Sequence, residues 1–408
     1  MIITRLCQFF THLFFSRVSL TGVQRFPADG PTLIVANHHS ALVDPMVLIA
    51  VLPRRARFLA KAALWKPRYL PLRPLLMLAG AVPVHRVKDG GGDNSATFEA
   101  TRSVLTDGGV IAIFGEGVSH DTPGLQVLRT GPARIALGTP TAVSIVPIGL
   151  IFPDRPRYRS TVTVAIGEPI AVTGSVGGDG DRVAVRDLTT QISHGLATVA
   201  PTWDDHDNQR AAVAAARVVA AERDIAEGTV LNRINRASDA GVAQAHEVLN
   251  TAKDLLDECA HLDVDLQQVL DDHGQLGALA RSSHLRAVLW AVPTILGHVI
   301  NWPAYRSVDV IARRNDFNFQ ASAKVLAGAV LYPLWWAVMF VACWRLVSWP
   351  AAALLVLTAM VGGYVAGEKM RLIKSYNARM AAEENSTDLT SLELRFSAVL
   401  SAVERLGV

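Results

Sequence analysis

Two adjacent histidines, His38 and His39, stand at the end of the apolar run Thr32-Leu-Ile-Val-Ala36 and Asn37, with Ser40 and Asp44 close behind. A hydrophobic strand that delivers a histidine and a carboxylate at its end is one way to build a general base. The imidazole takes a proton, while the carboxylate fixes its tautomer and stabilises the imidazolium. The same residue types also occur in polar loops between a strand and a helix. A metal site is a third reading of a doubled histidine with Asp44. However, no further His, Cys or Glu cluster completes a ligand set, so no metal is expected. Ser40 and Ser119 lack the Gly-x-Ser-x-Gly elbow of a serine nucleophile.

Two later stretches carry chemistry of their own. In Gly80-Ala-Val-Pro-Val-His-Arg86 a short apolar run leads into a guanidinium, whose planar fork suits bidentate phosphate recognition. In Phe114-Gly-Glu-Gly-Val-Ser119 a carboxylate, Glu116, lies between Gly115 and Gly117, where backbone and ligand can approach closely. Taken singly, these read as a solvated strand-end charge and a plain turn. All three in order make a stronger pattern.

Such residues need a scaffold, and the chain from Val23 to about Pro169 alternates short apolar runs with helical stretches. Strands are expected at Thr32–Ala36, Ala81–Val84, Val110–Phe114, Ala142–Ile151 and Thr161–Ile166, with helices between them, for example Asn94–Leu105 and Gly131–Leu137. This is an α/β pattern: a mixed, mostly parallel sheet flanked by helices, with function gathered in loops at strand ends. Residues 1–22 read as an amphipathic helix lying in a membrane interface or packed on the core. A Gly/Asp-rich break at residues 174–185 closes the α/β domain, assigned to 23–175, and a helical region follows over 176–285. Within that region Asp254, Asp257, Glu258, Asp263 and Asp265 read as a solvated helix face.

Composition points to a bilayer. Half of the 408 residues are hydrophobic and 18% are charged, with a mean hydropathy of +0.27, which is apolar for a water-soluble chain. Residues 286–376 form the expected membrane region. Ala287–Tyr305 is interrupted by Pro293 and Pro303 and reads as re-entrant or interfacial, whereas Val325–Val347 and Ala351–Gly367 are apolar enough for a transmembrane hairpin. Arg313, Arg314 and Lys324 precede the hairpin and Lys369, Arg371 and Lys374 follow it, which places both flanks in the cytoplasm. A helical tail, 377–408, ends the chain. Nine cations from Arg54 to Lys88, with no acid between Asp44 and Asp89, suit anionic lipid or a phosphorylated substrate. No aromatic interleaving or binding motif accompanies them, so nucleic acid is not an expected partner. Cys7, Cys259 and Cys343 form no metal spacing and no disulfide framework.

The order Asn37-His-x-Ser with Asp44, then Gly-x-Val-Pro-Val-x-Arg86, then Phe-x-Glu-Gly-x-Ser119, then Ile145-Val-Pro-Ile148 resembles the four blocks of the glycerolipid acyltransferase superfamily. Phe58-Leu-Ala-Lys61, Leu128-Arg-Thr-Gly131 with Arg134, and Gly167-Glu-Pro169 agree with that context, and the likeness covers roughly residues 20–170. The resemblance implies transfer of a fatty acyl group from acyl-CoA or acyl-carrier protein to a glycerol-phosphate acceptor such as lysophosphatidate. It implies no other cofactor and a membrane-associated enzyme with a lipid bilayer as partner; the hairpin and its flanking cations make the expected protein integral to the membrane, with its catalytic domain on the cytoplasmic face. It assigns the base to His38 or His39 with Asp44, and substrate binding to Lys61, Gly80, Arg86, Glu116, Gly117, Ser119 and Pro147. Glycerol 3-phosphate or dihydroxyacetone phosphate as acceptor is the alternative within enzymes, and a catalytically inactive membrane adaptor the alternative outside them. Two departures stand out. Gly115 replaces the proline usual in the third block, and the doubled histidine leaves two frames, with four residues between His39 and Asp44 or five between His38 and Asp44. Positions five apart on a helix diverge by ~140° around its axis, so the histidine has to sit in the loop before the helix, where either frame can reach Asp44.

Overall fold

The computed structural model describes residues 2–65, 73–84, 95–173, 180–261, 266, 282–384 and 390–407. The chain divides into two units, Met1–Phe152 with Val162–Thr202, and Pro153–Thr161 with Trp203–Val408.

The first unit runs α1 (Ile2–Phe14), β1 (Phe15–Thr21), β2 (Thr32–Ala36), α2 (Val43–Val51), β3 (Ala56–Lys61), α3 (Arg73–Leu78), β4 (Val82–Val84), α4 (Ser95–Thr106), β5 (Val110–Phe114), α5 (Gly131–Leu137), β6 (Val143–Ile151), β7 (Ser160–Ile166), β8 (Ile170–Val172) and α6 (Arg182–Ala197). The strands form a sheet in the order β1-β7-β6-β2-β5-β3-β4, with β8 also beside β6. Strands β6, β2, β5, β3 and β4 are parallel, and β7 and β8 pair antiparallel with β6. This is the mixed, mostly parallel α/β sheet expected from the sequence. All five residues of β2 are buried, as a parallel strand covered on both faces requires, and that explains its unbroken apolar run.

Parallel register aligns the strand ends. Ala36 lies beside both Phe114 and Ile148, so the residues that follow β2, β5 and β6 emerge along one edge of the sheet. Lys61 lies beside Val84 where β3 and β4 end on that same edge.

The N-terminal helix stops at Phe14, short of the expected 22, and Phe15–Thr21 becomes an edge strand. The period changes there: Arg17-Val18-Ser19-Leu20 alternates polar and apolar, which suits a strand. In α1, Ile3 and Cys7 pack against Ala50 and its neighbours on α2, whereas Ile2, Leu6 and Phe9 are exposed. One helix thus has both an inward packed face and an outward apolar one. The domain edge also moves, because α6 belongs to the first unit, which runs to Thr202. Gly149 makes this possible: a Cβ there would come within 1.9 Å of the Val199 carbonyl oxygen.

The second unit comprises α7 (His206–Arg223), α8 (Glu227–Asp239), α9 (Ala243–His261), α10 (Ser282–Arg313), α11 (Phe317–Leu346), α12 (Trp349–Glu384) and α13 (Thr390–Arg405). Helix α13 packs on α7 and α9, burying Leu392, Phe396, Val399 and Val403. Two members of the expected solvated acidic face serve this contact: Arg395 pairs with Asp254 and Ser391 bonds Glu258. Asp263 and Asp265 lie outside the described residues.

Helix α10 continues through Pro293 and Pro303, where the sequence suggested a broken segment. Buried Asn301 on α10 ties three helices: its Nδ2 donates to the Gly297 and Ala359 carbonyls and its Oδ1 accepts from Trp336 Nε1. Helix α11 and the Trp349–Ala366 part of α12 are long and apolar enough to cross a membrane. Val330, Leu334, Val338, Val341, Leu354 and Leu357 on them are exposed. Core helices would bury such side chains, so the alternative of two buried helices does not describe this unit.

Candidate active site

The site begins where β2 ends. Buried Asn37 donates Nδ2–H to the Leu150 carbonyl at 3.0 Å and accepts the Leu150 N–H on Oδ1 at 2.7 Å. Its side-chain amide imitates a peptide group and extends the β2–β6 ladder beyond the last strand residue. The next residue is thereby aimed off a fixed strand end. Asn37→Asp would remove the Nδ2 donor and set a carboxylate against a carbonyl at a site 1% exposed. The expected loss is about 3 kcal/mol, read as a lowered denaturation midpoint; an unchanged midpoint would contradict this clamp.

His38 Nδ1 lies 2.8 Å from Asp44 Oδ2. The same oxygen accepts the backbone N–H groups of His39 (2.8 Å) and Ser40 (2.7 Å). Asp44 is fully buried in the first turn of α2, where the helix dipole favours a negative charge. Its sequence separation from His38 is spanned by a tight turn with Ala41 at φ +42°. The His38 ring stacks on Phe114, 4.1 Å between centroids and 13° between planes, and Phe58 stacks on Phe114 in turn. With Nδ1–H given to the carboxylate, the Nε2 lone pair is the basic atom, and among the described residues nothing bonds it. His39 is placed differently: its Nδ1 is 3.4 Å from the His120 carbonyl, and it meets Asp44 through its backbone.

The β5 end supplies the second wall. Gly115 N–H donates to Ala36 O, a ladder bond that the usual proline at this place could not make. A Cβ on Gly115 would also come within 2.9 Å of Leu128 and Val35 side chains. Gly117 takes φ +75°, a left-handed conformation suited to glycine, and turns the chain so that Glu116 is buried, 1% exposed. Glu116 Oε2 is hydrogen-bonded to His120 Nε2. Burial pushes the Glu116 carboxyl up to about 8, the His38 backbone amide pulling it down and the Asp44 charge pushing it further up. Arg129 N–H closes the loop onto Gly115 O.

The structure therefore brings together His38, His39, Asp44, Glu116 and Gly117, with Ser119 on the same loop. Gly80, at φ +67°, turns the chain between α3 and β4 at the opposite edge of the sheet. Pro147 is buried within β6 with Gly195 of α6 against its ring. Its missing N–H falls where the partner strand changes from β8 to β7. Neither residue joins the His38 cluster. Lys61 closes β3 on the cluster's edge, and Arg86 lies outside the described residues. Among the described residues no group of three or more His, Cys, Asp or Glu side chains could hold a metal ion. Sequence reasoning passed over Phe114 as a ring support and His120 as the partner of Glu116. The i,i+4 spacing of Glu116 and His120 was the available signal for the second.

Residues 17–151 match the model of the Acyltransferase family. The chain is 36% identical over 134 residues to glycerol-3-phosphate O-acyltransferase 2 of Saccharomyces cerevisiae, covering 31% of this chain and 18% of that protein. It is 29% identical over 137 residues to human 1-acyl-sn-glycerol-3-phosphate acyltransferase alpha, covering 34% of this chain and 46% of that protein. The chain thus spans less than half the length of either relative. The solved 1-acyl-sn-glycerophosphate acyltransferase PlsC of Thermotoga maritima is similar at a TM-score of 0.38 and 19% identity, over 50% of this chain and 80% of that one.

Proposed function

We propose that this protein is a membrane-bound O-acyltransferase that moves a fatty acyl group from an acyl thioester, acyl-CoA or acyl-carrier protein, to a hydroxyl of a glycerol-phosphate acceptor. The observation that carries the reading is His38 held on Asp44 with Nε2 as its basic atom. Nε2 takes the proton of the acceptor hydroxyl as its oxygen attacks the thioester carbonyl. The resulting imidazolium is stabilised by Asp44 and can return the proton to the thiolate that leaves. Thioesters are activated acyl donors, so a base and good positioning suffice. Lysophosphatidate, giving phosphatidate, is the acceptor we favour; glycerol 3-phosphate is supported by the yeast relative's name. Arg86 and Lys61 would bind the acceptor phosphate, and Glu116, Gly117 and Ser119 would shape its pocket. The two apolar helices would anchor the chain in the bilayer with the catalytic unit on the cytoplasmic face.

Purified protein in detergent, given acyl-CoA and separately acyl-carrier protein, should release thiol in the presence of lysophosphatidate or glycerol 3-phosphate. Comparing the acceptors by kcat/KM then selects between them. No acceptor-dependent thiol release with lysophosphatidate, glycerol 3-phosphate or dihydroxyacetone phosphate would overturn the reading.

A further inference from the structure

Glu116 and His120 form a buried titratable pair whose protons the transfer step does not use; they are 1% and 7% exposed. Their neighbours restrict where those protons sit. Thr122 Oγ1 donates its single hydrogen to the Gly124 carbonyl at 3.0 Å. Lying 2.5 Å from His120 Nδ1, the same oxygen can then only accept, so Nδ1 carries a hydrogen. In a neutral imidazole protonated at Nδ1, Nε2 is a lone pair. An ionised Glu116 facing it would set two lone pairs against each other in a desolvated site. The contact is attractive only with one proton between the groups, on the carboxyl or on the ring, and either placement leaves the pair net neutral.

Of the charged groups around the pair, Asp44 favours that state. Asp44, fully buried, supplies one negative charge already, and it opposes a second on Glu116. The His39 ring stands edge-on to His120, 5.0 Å between centroids. The His38 carbonyl accepts the His120 backbone N–H at 3.2 Å. The Arg129 side chain lies beside Gly117, 3.3 Å from where its Cβ would be.

We propose that Glu116 and His120 share one buried proton, and that His120 is a positioning residue that keeps a second negative charge out of the pocket where an anionic glycerol-phosphate acceptor binds. The inference rests on the acyl-transfer reading above. It makes His120 and Glu116 a charge filter: a glycerol phosphate entering beside Asp44 meets one carboxylate rather than two.

The test compares the wild type with His120→Asn, Glu116→Gln and the double variant Glu116→Gln/His120→Asn, using lysophosphatidate and acyl-CoA at about pH 6.5 and about pH 8.5. In His120→Asn the carboxyl loses its partner and ionises into the pocket as pH rises. The acceptor KM should then rise about tenfold or more at the higher pH and far less at the lower one, with the donor KM little changed. The double variant places two neutral amides there at every pH, so it should recover most of the acceptor KM. A pH-independent defect in His120→Asn, or a double variant as impaired as the product of the two singles, would overturn the proposal. Nitrogen-15 NMR of the histidine-labelled full chain gives a second readout: the resonances lost in His120→Asn should report a protonated Nδ1 at neutral pH, and an unprotonated Nδ1 would refute the assignment. If the wild type transfers no acyl group to any acceptor, the acyl-transfer reading fails, and the NMR result alone decides whether the proton is shared.

Discussion

His38→Ala should lower kcat by about 10²- to 10⁴-fold, the range a positioned general base contributes, and leave the fold in place. The substitution removes one of three donors to Asp44 Oδ2 but keeps the two backbone N–H groups of His39 and Ser40. The turn before α2 is therefore still tied down. His39→Ala is the discriminating partner. That residue reaches Asp44 through its backbone amide, which alanine retains, and its ring faces His120, 3.4 Å from the carbonyl and edge-on to the imidazole, rather than the Asp44 carboxylate. It should keep activity to within about tenfold of the wild type. Steady-state kinetics on the two variants, with matched melting temperatures, settle which frame is used. Greater loss in His39→Ala than in His38→Ala would reverse the assignment.

That experiment is needed because sequence spacing alone leaves both frames open. A histidine five or six residues before Asp44 can meet it only through a specific loop conformation. Here the loop includes Ala41 at φ +42°, a strained value for a non-glycine residue that no local propensity announces. The parallel core was legible for a simpler reason. Strands β2, β5 and β6 are continuous apolar runs because both faces are covered, and their ends were read to within a residue. Strand β3 was hidden by charge, although Ala56, Phe58 and Ala60 alternate with Arg57, Leu59 and Lys61 as a strand should. The helix-to-strand change at Phe15 was masked because the first segment reads throughout as one amphipathic helix, Ser16 continuing the polar stripe of Arg5, Gln8 and His12. Gly80 and Pro147 were assigned to the site on a motif, and the fold places the first at a left-handed turn and the second at a gap in strand pairing, apart from the His38 cluster. The role of His120 depends on where a loop folds back, and sequence does not show that. For the long helices, composition indicated a membrane, but only the outward direction of residues such as Val338 and Leu357 separates them from core helices.

Asp44 has two separable tasks, and two substitutions should pull them apart. One task is structural: its Oδ2 gathers the His39 and Ser40 amides and holds the turn, at a position with no solvent exposure. The other, on the proposed reaction, is electrostatic: its charge, 2.8 Å from His38 Nδ1, would orient that ring and stabilise the imidazolium formed during transfer. An asparagine side chain keeps a carbonyl oxygen able to accept those amides, so Asp44→Asn should preserve most of the turn while losing the charge. The expected result is a fall in kcat of about 10²- to 10⁴-fold with a modest change in KM. Asp44→Ala loses both tasks. Two backbone N–H groups are left without their acceptor, at about 1–3 kcal/mol each for a buried donor, so its melting temperature should fall by about 5–10 °C below that of Asp44→Asn. Its kcat should be no higher than that of Asp44→Asn. If the alanine and asparagine variants melt together, the amide contacts do not hold the turn. If the asparagine variant retains near-wild-type kcat, the negative charge is not what makes His38 a base. In either case the shared use of one oxygen by a catalytic ring and two loop amides would have to be abandoned.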